Sequence, residues 1–336
     1  MSTSKHDEMD LEVRSTSRAR ELCSLDLKVL VGLDMDARAP VAKIAKKIGL
    51  TDYYVASRMK SLEERGIIKR YESVVDVFRL GLKSYRIYLK LCHTNTSTEK
   101  EIVDYLCSSP IVTWCGSTCG RYDIAFFMAF KDHDQAVGFW NGFLAKYRQY
   151  VNKTAVTPFC GDVQSRLSFT ELKGEPITTG MSSITIGEKD RTLLRLLASD
   201  CRDNLENIGK ALGLEPASVI YRINNLVKSD VIKAFRPVVD MEKLGYNTYK
   251  VDLNLHTRER MKDIEAYALA KPGVSHLLKT IGWADIELQV YSRNSQELKS
   301  LLHEIQDQFP DDIQDYSLFE YLGTEKDSFA GAIAQA

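Results

Sequence analysis

Long hydrophobic runs, a strong net charge and an even set of cysteines are all missing from this 336-residue sequence. The longest uninterrupted apolar stretch, Ile124–Phe130, has seven residues, whereas a membrane-spanning helix needs about 20. The first twenty residues contain no apolar segment of the kind that a secretory signal requires. Seven cysteines spread over a long chain favour reduced thiols over a disulfide framework. We therefore expect a globular, cytoplasmic protein.

Several catalytic signatures are also missing. The sequence contains no P-loop, no dinucleotide-binding fingerprint, no nucleophile elbow and no H-E-x-x-H zinc motif. Cys115 and Cys119, with His93 and His133 in the same segment, could bind zinc or respond to redox state. A second pair of ligands at zinc spacing is absent, however, and cysteine is also a common small buried residue. We therefore expect no metal, no cofactor and no enzymatic activity.

The net charge of −1 conceals two weakly basic segments. Residues 25–70 carry a net charge of +4 and residues 189–234 a net charge of +2, so the rest of the chain is acidic. Basic segments are the electrostatic signature of phosphate binding, although this excess is modest. Two such modules would each bind DNA weakly and would depend on multivalency.

The sequence repeats itself at a spacing of 164 residues. Residues 26–81 align with residues 190–245 without a gap and share 19 identities in 56 positions. At a spacing of 162 residues the similarity continues with the aligned pairs Gly120 and Gly282, and Asp123 and Asp285. The sequence therefore predicts a tandem duplication, and each repeat is long enough to contain two domains.

The first part of each repeat predicts a winged helix-turn-helix domain. In the first repeat, apolar residues at helical spacing predict helices over 26–34, 40–48 and 52–65. Gly49 suits the end of the second helix, and Thr51 suits the N-cap of the third. Residues 67–71 and 73–77 are typical of two short strands, which would form the β-hairpin wing.

The third helix of such a module lies in the major groove of DNA. Polar side chains opposite its buried face can contact phosphates or base edges, and basic wing residues can contact phosphates. In the first repeat the predicted DNA contacts are Tyr53, Tyr54, Ser57, Arg58, Lys60, Ser61, Lys69 and Arg70. In the second repeat they are Ala217, Ser218, Tyr221, Arg222, Asn224, Asn225 and Lys233. A solvated helix face would carry similar polar residues, so this alternative stays open.

The second module differs from the first at two positions. Glu215 replaces the N-cap residue Thr51, and Asp230 replaces the turn residue Gly66. Glutamate is a poorer N-cap than threonine, and both acidic residues repel phosphate. The second module is therefore either a second DNA-binding head or a scaffold.

The second part of each repeat predicts a ferredoxin-like βαββαβ domain. In the first repeat the pattern places strands over 83–91, 111–117, 122–130 and 153–159, and helices over 97–107 and 135–147. The second repeat has the same order of elements. Two helices cover one face of such a sheet and leave the other bare. We therefore expect the two repeats to pair as an intramolecular pseudo-dimer, with a homodimer of chains as a further option.

The predicted architecture is an α+β fold in which two winged helix-turn-helix domains alternate with two ferredoxin-like domains. The predicted boundaries are a flexible arm (1–22), the first winged helix-turn-helix (23–78), the first ferredoxin-like domain (79–170), a linker (171–186), the second winged helix-turn-helix (187–242), the second ferredoxin-like domain (243–321) and a frayed tail (322–336). The arm is predicted from its polar composition of mixed charge, and the tail from its position at the chain end.

Two groups of residues carry a family pattern. The first runs through Ile44-Ala45, Gly49-Leu50-Thr51, Val55, Arg58, Leu62, Gly66-Ile67-Ile68 and Leu80-Gly81. The second is the turn at residues 120–123 (Gly-Arg-Tyr-Asp), of which residues 282–285 keep only the Gly and the Asp. Together they resemble the Lrp/AsnC family of transcription regulators over residues 26–160 and 190–321. This resemblance implies a DNA-binding regulator whose partner is double-stranded DNA.

The resemblance also implies a small-molecule effector such as an amino acid, bound near the G-x-Y/F-D turn. The implied effector-binding residues are Ser117, Gly120, Tyr122, Asp123, Gly282 and Asp285. Asp123 would hold an α-amino group, and backbone N–H groups near Gly120 would hold a carboxylate. Glycine and aspartate also suit a tight turn between adjacent strands, which is the alternative.

Two other functions stay open. The tandem architecture also resembles siroheme decarboxylases of haem biosynthesis, whose P-G-V-T-H stretch is similar to residues 272–276 (Pro-Gly-Val-Ser-His). The residues that follow differ from that enzyme's pattern, Trp114 stands where the first repeat would need a histidine, and the sequence shows no clustered His and Arg. A regulator that binds proteins instead of DNA is the other alternative. We favour a sequence-specific DNA-binding regulator without enzymatic activity.

Overall fold

The computed structural model describes residues 22–166, 168–170, 175–180 and 183–336. The chain folds as a mixed α and β protein, which confirms the expected fold class at this coarse level. Within the described part of the chain, no helix has the length and apolar character needed to cross a membrane. The predicted flexible arm lies outside the described residues except for Leu22.

Helices and strands alternate in the order that a duplicated domain pair would give. The helices are α1 (Ser24–Met35), α2 (Val41–Ile48), α3 (Asp52–Glu64), α4 (Thr96–Ser108), α5 (His133–Tyr147), α6 (Glu188–Ser199), α7 (Leu205–Leu212), α8 (Pro216–Lys228), α9 (Met261–Leu269), α10 (Ser295–Gln308) and α11 (Ala330–Ile333). The strands are β1 (Ile68–Val75), β2 (Lys83–Leu91), β3 (Val112–Cys119), β4 (Ile124–Phe130), β5 (Val151–Gln164), β6 (Ile177–Thr178), β7 (Ile232–Val239), β8 (Asn247–Leu255), β9 (Val274–Thr280), β10 (Ile286–Ser292), β11 (Ile313–Tyr321) and β12 (Lys326–Asp327).

Helices α1–α3 and α6–α8 form two three-helix groups, which we call head 1 and head 2. In each head the second helix ends at a glycine with positive φ, Gly49 (69°) in head 1 and Gly213 (61°) in head 2. The Thr51 hydroxyl accepts a hydrogen bond from Tyr54 N and caps α3, whereas Glu215 makes no side-chain cap on α8. The cores consist of aliphatic side chains that face inward at helical spacing.

Strands β1 and β7 form a two-stranded antiparallel ribbon that joins head 1 to head 2. Its register places Tyr71 opposite Pro237 and Ser73 opposite Phe235. The prediction of a β-hairpin wing inside each repeat is therefore wrong. Residues 67–75 lie in or beside a single strand whose hydrogen-bonding partner belongs to the other repeat. Pairing across the repeats satisfies the same backbone groups that a hairpin would have satisfied.

Reciprocal arginine contacts hold the heads together beside the ribbon. Arg38 Nη1 donates to the carbonyl oxygens of Cys201 and, at 3.4 Å, Asp203. The equivalent Arg202 Nη1 donates to the carbonyl oxygens of Ala37 and, at 3.3 Å, Ala39. Each acceptor lies 164 positions from its counterpart, so the contacts follow the spacing of the sequence repeat. We refer to these four contacts as the arginine clamp.

The remaining strands form a sheet that closes on itself. Strands of the first repeat follow the order β5-β2-β4-β3, and those of the second follow β11-β8-β10-β9. β5 pairs with β9, and β11 pairs with β3, so these eight strands complete a ring without a free edge. Helices α4 and α5 pack on the outer face of one half, and α9 and α10 on the outer face of the other. The two inner faces enclose aromatic and charged side chains.

The C-terminal residues are ordered, so the expectation of a frayed tail from residue 322 is wrong. β12 pairs with β3, and Lys326 Nζ donates to the carbonyl oxygens of Cys107 (2.9 Å) and Ser109 (2.7 Å). Ala332 and Ile333 of α11 are fully buried, and Ile333 belongs to the core of head 2. The tail thus connects the first half of the sheet to head 2. Backbone pairing and apolar burial stabilise it against the fraying that is common at chain ends.

Candidate nucleic-acid interface and ligand cavity

The third helix of each head presents an exposed face opposite its core. In α3 the buried residues are Val55, Met59 and Leu62, and in α8 they are Val219, Ile223 and Leu226. The exposed residues among the predicted DNA contacts are Tyr53, Tyr54, Ser57, Lys60, Lys69, Ala217, Ser218, Tyr221, Asn224 and Asn225, while Ser61 is half-buried. The two exposed faces differ in chemistry, since α3 carries Lys60 at the position where α8 carries Asn224.

Two of the predicted DNA contacts, Arg58 and Arg222, instead form ion pairs within their own heads. Arg58 lies 3.8 Å from the buried carboxylate of Asp26, and the equivalent Arg222 lies 2.7 Å from Asp190. Arg65 also pairs with Asp26, at 3.0 Å. Both arginines sit at the edge of the core face, from which a guanidinium reaches the first helix. We therefore withdraw Arg58 and Arg222 from the DNA-contacting face.

The predicted wing contacts also take part in contacts within the chain. Arg70 Nη2 pairs with Glu72 (2.7 Å) and Asp327 (3.1 Å) on the inner side of the ribbon. Lys233 is largely buried and lies 3.5 Å from Asp230. The prediction that Arg70 and Lys233 contact DNA is therefore corrected. Both residues form ion pairs within the chain, because the ribbon strands face the other repeat. Lys69 pairs with Asp240 at 3.2 Å and is still half-exposed.

The carboxylates of the two G-x-x-D turns are occupied by contacts within the chain. Asp123 accepts from the backbone N–H of Leu91 at 2.7 Å, and Asp285 accepts from that of Leu255 at 2.8 Å. The other oxygen of each binds a basic side chain, Lys90 at 2.6 Å for Asp123 and Arg258 Nε at 2.8 Å for Asp285. Burial raises the pKa of Asp285, but the Leu255 N–H and Arg258 outweigh it and hold that pKa below its ordinary value. The expected contact of Asp123 with an α-amino group is corrected accordingly.

The structure brings the two turns together but leaves little room at them. Tyr122 is buried, and its ring centre lies 6.2 Å from that of Trp283 in the other turn. Gly282 lies against Thr157, where an added Cβ would approach the Thr157 methyl group to 2.4 Å. Gly120 has a φ of 124°, and Ser117 lies on β3 with its carbonyl oxygen bound by Leu322 N. The predicted effector-binding residues therefore lie at a closely packed junction between the two turns.

A cavity of about 600 Å³ lies between the inner faces of the closed sheet and the ribbon. Arg86, Phe127 and Phe159 line it from the first repeat, and His276 and Gln289 from the second. Ribbon residues also reach it, namely Arg70, Glu72 and Arg236. The expectation that His and Arg do not cluster is therefore wrong, because residues far apart in sequence converge here. Arg86, a charged residue inside the apolar strand pattern of residues 83–91, was the feature of the sequence that could have pointed to this cavity.

Burial shifts the pKa values of two titratable groups in this cavity in opposite directions. It lowers the pKa of His276 to about 4, although Asp162, 3.9 Å away, favours the protonated form. Burial and the neighbouring Asp327 raise the pKa of Glu72 to about 7, against the attraction of Arg70. His276 is therefore neutral at pH 7. Among the described residues no group of His, Cys, Asp and Glu side chains is arranged to hold a metal ion.

Comparison with known proteins places the sequence among bacterial and archaeal regulators. Residues 187–227 match the family model for the AsnC-type helix-turn-helix domain. The chain is 30% identical over 112 residues to the proline dehydrogenase transcriptional activator of Rhodobacter capsulatus, covering 33% of this chain and 71% of that protein. It is 27% identical over 119 residues to the HTH-type transcriptional regulator FL11 of Pyrococcus horikoshii, covering 35% and 79%.

Comparison of whole structures gives a different neighbour. The crystal structure of the siroheme decarboxylase NirDL superposes with a TM-score of 0.63, over 92% of this chain and 97% of that one. At 14% identity this similarity concerns the fold. An enzyme nevertheless shares the fold along nearly the entire chain. The expectation that this chain has no enzymatic activity is therefore contradicted by its fold match to an enzyme.

The helix-turn-helix match covers α6, α7 and most of α8, which form head 2. The relatives align over most of their own length and reach 30% identity. The chain belongs to the Lrp/AsnC family of DNA-binding transcription regulators.

Proposed function

We propose that this regulator is a fused dimer in one chain. Two helix-turn-helix heads (23–78 and 187–242), joined by the shared β1–β7 ribbon instead of carrying a wing each, would bind one operator, and two ferredoxin-like sensing domains (79–170 and 243–321) would hold them in register. The arginine clamp is the observation that carries this proposal, because it repeats the same contact in both directions between the heads. The β1–β7 ribbon adds backbone hydrogen bonds to the same junction.

The proposed operator has two unlike half-sites. Heads fixed to one another contact half-sites whose centres lie about 34 Å, or a multiple of it, apart. The face of α3 carries Tyr53, Ser57 and Lys60, whereas that of α8 carries Tyr221 and Asn224. Asparagine can bind adenine through two hydrogen bonds, and lysine favours phosphate or guanine. We therefore expect an imperfect palindrome.

Selection from random duplex DNA, followed by sequencing at two salt concentrations, tests this proposal. Enrichment of a two-part motif with helical-turn spacing is the expected result. A single enriched half-site would contradict a DNA-binding role for head 2 and leave it as a scaffold. Absence of enrichment together with absence of salt-dependent binding would overturn DNA binding by this chain and would favour a protein partner.

Lys60 provides a residue-level test of the DNA face. Its side chain is 76% exposed and pairs with Glu64 one helical turn away, at 3.7 Å. If Lys60 contacts phosphate, K60A weakens binding to all sequences and lowers the slope of log K against log salt by about one. Lys100, 74% exposed and paired in the same way with Asp104 on α4, supplies the matched control K100A. Equal effects of K60A and K100A would remove Lys60 from the interface.

A second candidate function is a decarboxylation of siroheme type. It is favoured by the fold shared with siroheme decarboxylase over 92% of the chain. The cavity that gathers His276, Arg86 and Arg236 is the place where a carboxylated substrate could bind. Incubating the purified chain with siroheme and following the loss of carboxyl groups by mass spectrometry tests this candidate. Unchanged siroheme at enzyme concentrations comparable to the substrate would reject it.

A further inference from the structure

The inner faces of the closed sheet carry an asymmetry between the two repeats. Arg86 on β2 and Lys250 on β8 are equivalent, since they lie 164 positions apart and both point from the inner face of the ring. Arg86 is 6% exposed and Lys250 is 1% exposed. Burying a cation removes its hydration, so each needs a compensating group.

Lys250 has its compensation within the second repeat. Its Nζ contacts the carboxylates of Asp252 and, at 3.0 Å, Glu287. Those carboxylates face each other across the β8–β10 pair and are themselves held, Asp252 by Trp283 Nε1 at 2.7 Å and Glu287 by Thr280 Oγ1 at 2.6 Å. This buried cation is therefore fully paired by its own sheet.

Arg86 has lost the equivalent partners. The positions that correspond to Asp252 and Glu287 are Tyr88 and Ala125, which face each other across the β2–β4 pair. Among the residues that the structure describes, Arg86 makes no hydrogen bond and no ion pair, and its Nε is buried without a partner. Its guanidinium carbon lies 4.4 Å from the ring centre of Phe127 and 4.2 Å from that of Phe159.

The position of Arg86 on the cavity wall decides what can compensate it. The rings of Phe127 and Phe159 both pack against the guanidinium on the cavity wall, so we expect a ligand to bind its N–H edge. A carboxylate matches such an edge with two parallel hydrogen bonds. Glu72 and Asp162 also line the cavity, and their carboxyl groups disfavour a ligand of higher negative charge. A cavity of about 600 Å³ suits a small organic molecule.

We propose that the cavity binds a small organic monocarboxylate, with its carboxylate on the Arg86 edge and its apolar part among the aromatic side chains of the wall. Tyr291 and Tyr321 line the cavity together with Trp114, whose ring stacks on Phe127 at 4.8 Å. Because ribbon residues also line the cavity, the occupant touches the elements that join the two heads. Its role as an effector rests on the proposed function, whereas its binding does not.

Benzoate and benzylamine, which share a ring but carry opposite charges, are the probes. Binding to the full chain is measured without DNA by thermal unfolding and by saturation-transfer NMR. Benzoate should stabilise the protein in proportion to its concentration, and benzylamine should not. The variant R86M should bind benzoate about 10-fold to 100-fold more weakly, since it loses a charge-assisted pair. Arg121, whose guanidinium lies 5.5 Å from the Tyr122 and Trp283 rings, supplies the control R121M.

The stability of the unliganded variants separates binding from a structural role. R86M removes an unpaired buried charge and should melt at or above the temperature of the wild type, whereas R86K should keep measurable benzoate binding. Equal benzoate binding by R86M and wild type, or equal binding of both probes, would overturn the proposal. A melting temperature of unliganded R86M well below that of R86K would also overturn it, in favour of a structural Arg86.

DNA binding is measured separately on the same proteins. A wild type that binds benzoate through Arg86 but selects no DNA sequence would support the cavity and reject the proposed function. A wild type that selects DNA but binds no benzoate would reject the cavity alone.

Discussion

Asp26 and Asp190 occupy equivalent positions of the two repeats and both form ion pairs with arginines, but they differ in burial. Asp26 is almost fully buried and pairs with both Arg58 and Arg65, whereas Asp190 is partly exposed and pairs with Arg222. Removing one partner of a buried pair leaves an uncompensated charge, whereas a solvated pair contributes little. We predict that D26N destabilises the chain by about 3 kcal/mol and D190N by about 1 kcal/mol.

Urea unfolding of the two variants measures this difference. Because both substitutions replace a carboxylate by an amide of the same shape, each serves as the control of the other. Equal losses of stability would show that burial of Asp26 does not matter.

His276 makes stability depend on pH in a defined sense. Its folded-state pKa of about 4 lies below the ordinary 6.5, so the unfolded chain binds more protons between these values. Its contribution to stability is complete above pH 6.5 and declines as the pH falls towards 4. We expect the stability difference between wild type and H276N to shrink by about 1–3 kcal/mol over this range.

Chemical denaturation at several pH values checks the His276 prediction. Subtracting the variant from the wild type removes the contribution of Glu72, whose raised pKa acts in the opposite sense. H303N, which makes the same substitution at an exposed position on α10, is the control. A constant difference between wild type and H276N from pH 4 to 7 would refute the assignment.

The residue scale also shows how far sequence reasoning reaches. The spacing of Val55, Met59 and Leu62 identifies the buried face of α3. It does not decide whether Arg58, at the edge of that face, extends toward DNA or back to α1, because both directions are open to a long side chain. Arg86 was missed for another reason, since its lack of a partner depends on which side chains face it from other strands.

At the scale of elements, helices were easier to predict than pairings between strands. Helical periodicity is local, and the predicted 40–48 and 52–65 correspond to α2 and α3 within a few residues. Strand pairing is not local, because the alternation of residues 67–77 is compatible with a hairpin or with a partner in the other repeat. The C-terminal residues 322–336 were misjudged for a similar reason, since their partners lie on β3 and in head 2.

The C-terminal helix α11 should therefore contribute measurably to stability. Ile333 is fully buried in the core of head 2, so I333A leaves a cavity and should cost about 2–4 kcal/mol. Ile281, which is 71% exposed, provides the matched control I281A with an expected change near zero. Equal midpoints of urea unfolding for I333A and wild type would show that the tail is not part of the folded core.

At the scale of the molecule, the proposed fused dimer permits a divergence between repeats that two identical chains cannot have. A symmetric dimer would have two paired cations or two unpaired ones between its sheets. Here Lys250 is paired and Arg86 is not, although the two repeats contribute strands to the ring in the same order. The bare sheet faces led to the prediction that the two repeats pair, whereas the closure of the ring depends on where β5 and β11 cross over.

If the chain is a fused dimer as proposed, its DNA affinity depends on the junction between the heads. The double variant R38A/R202A removes the arginine clamp, although the β1–β7 ribbon stays. Heads that are held less rigidly pay more orientational entropy when both bind, so affinity for a two-part site should fall about 10-fold. Affinity for DNA with one half-site should not change, because each recognition helix is untouched.

Binding isotherms on the two kinds of duplex measure this effect. R148A/R260A, which removes two arginines that bond within the ferredoxin-like domains, is the control and should match the wild type on both duplexes. Equal losses on both duplexes would show that the clamp stabilises each head alone. A loss confined to the two-part site would instead establish that the clamp sets the spacing of the heads, because only a bivalent complex depends on their relative position.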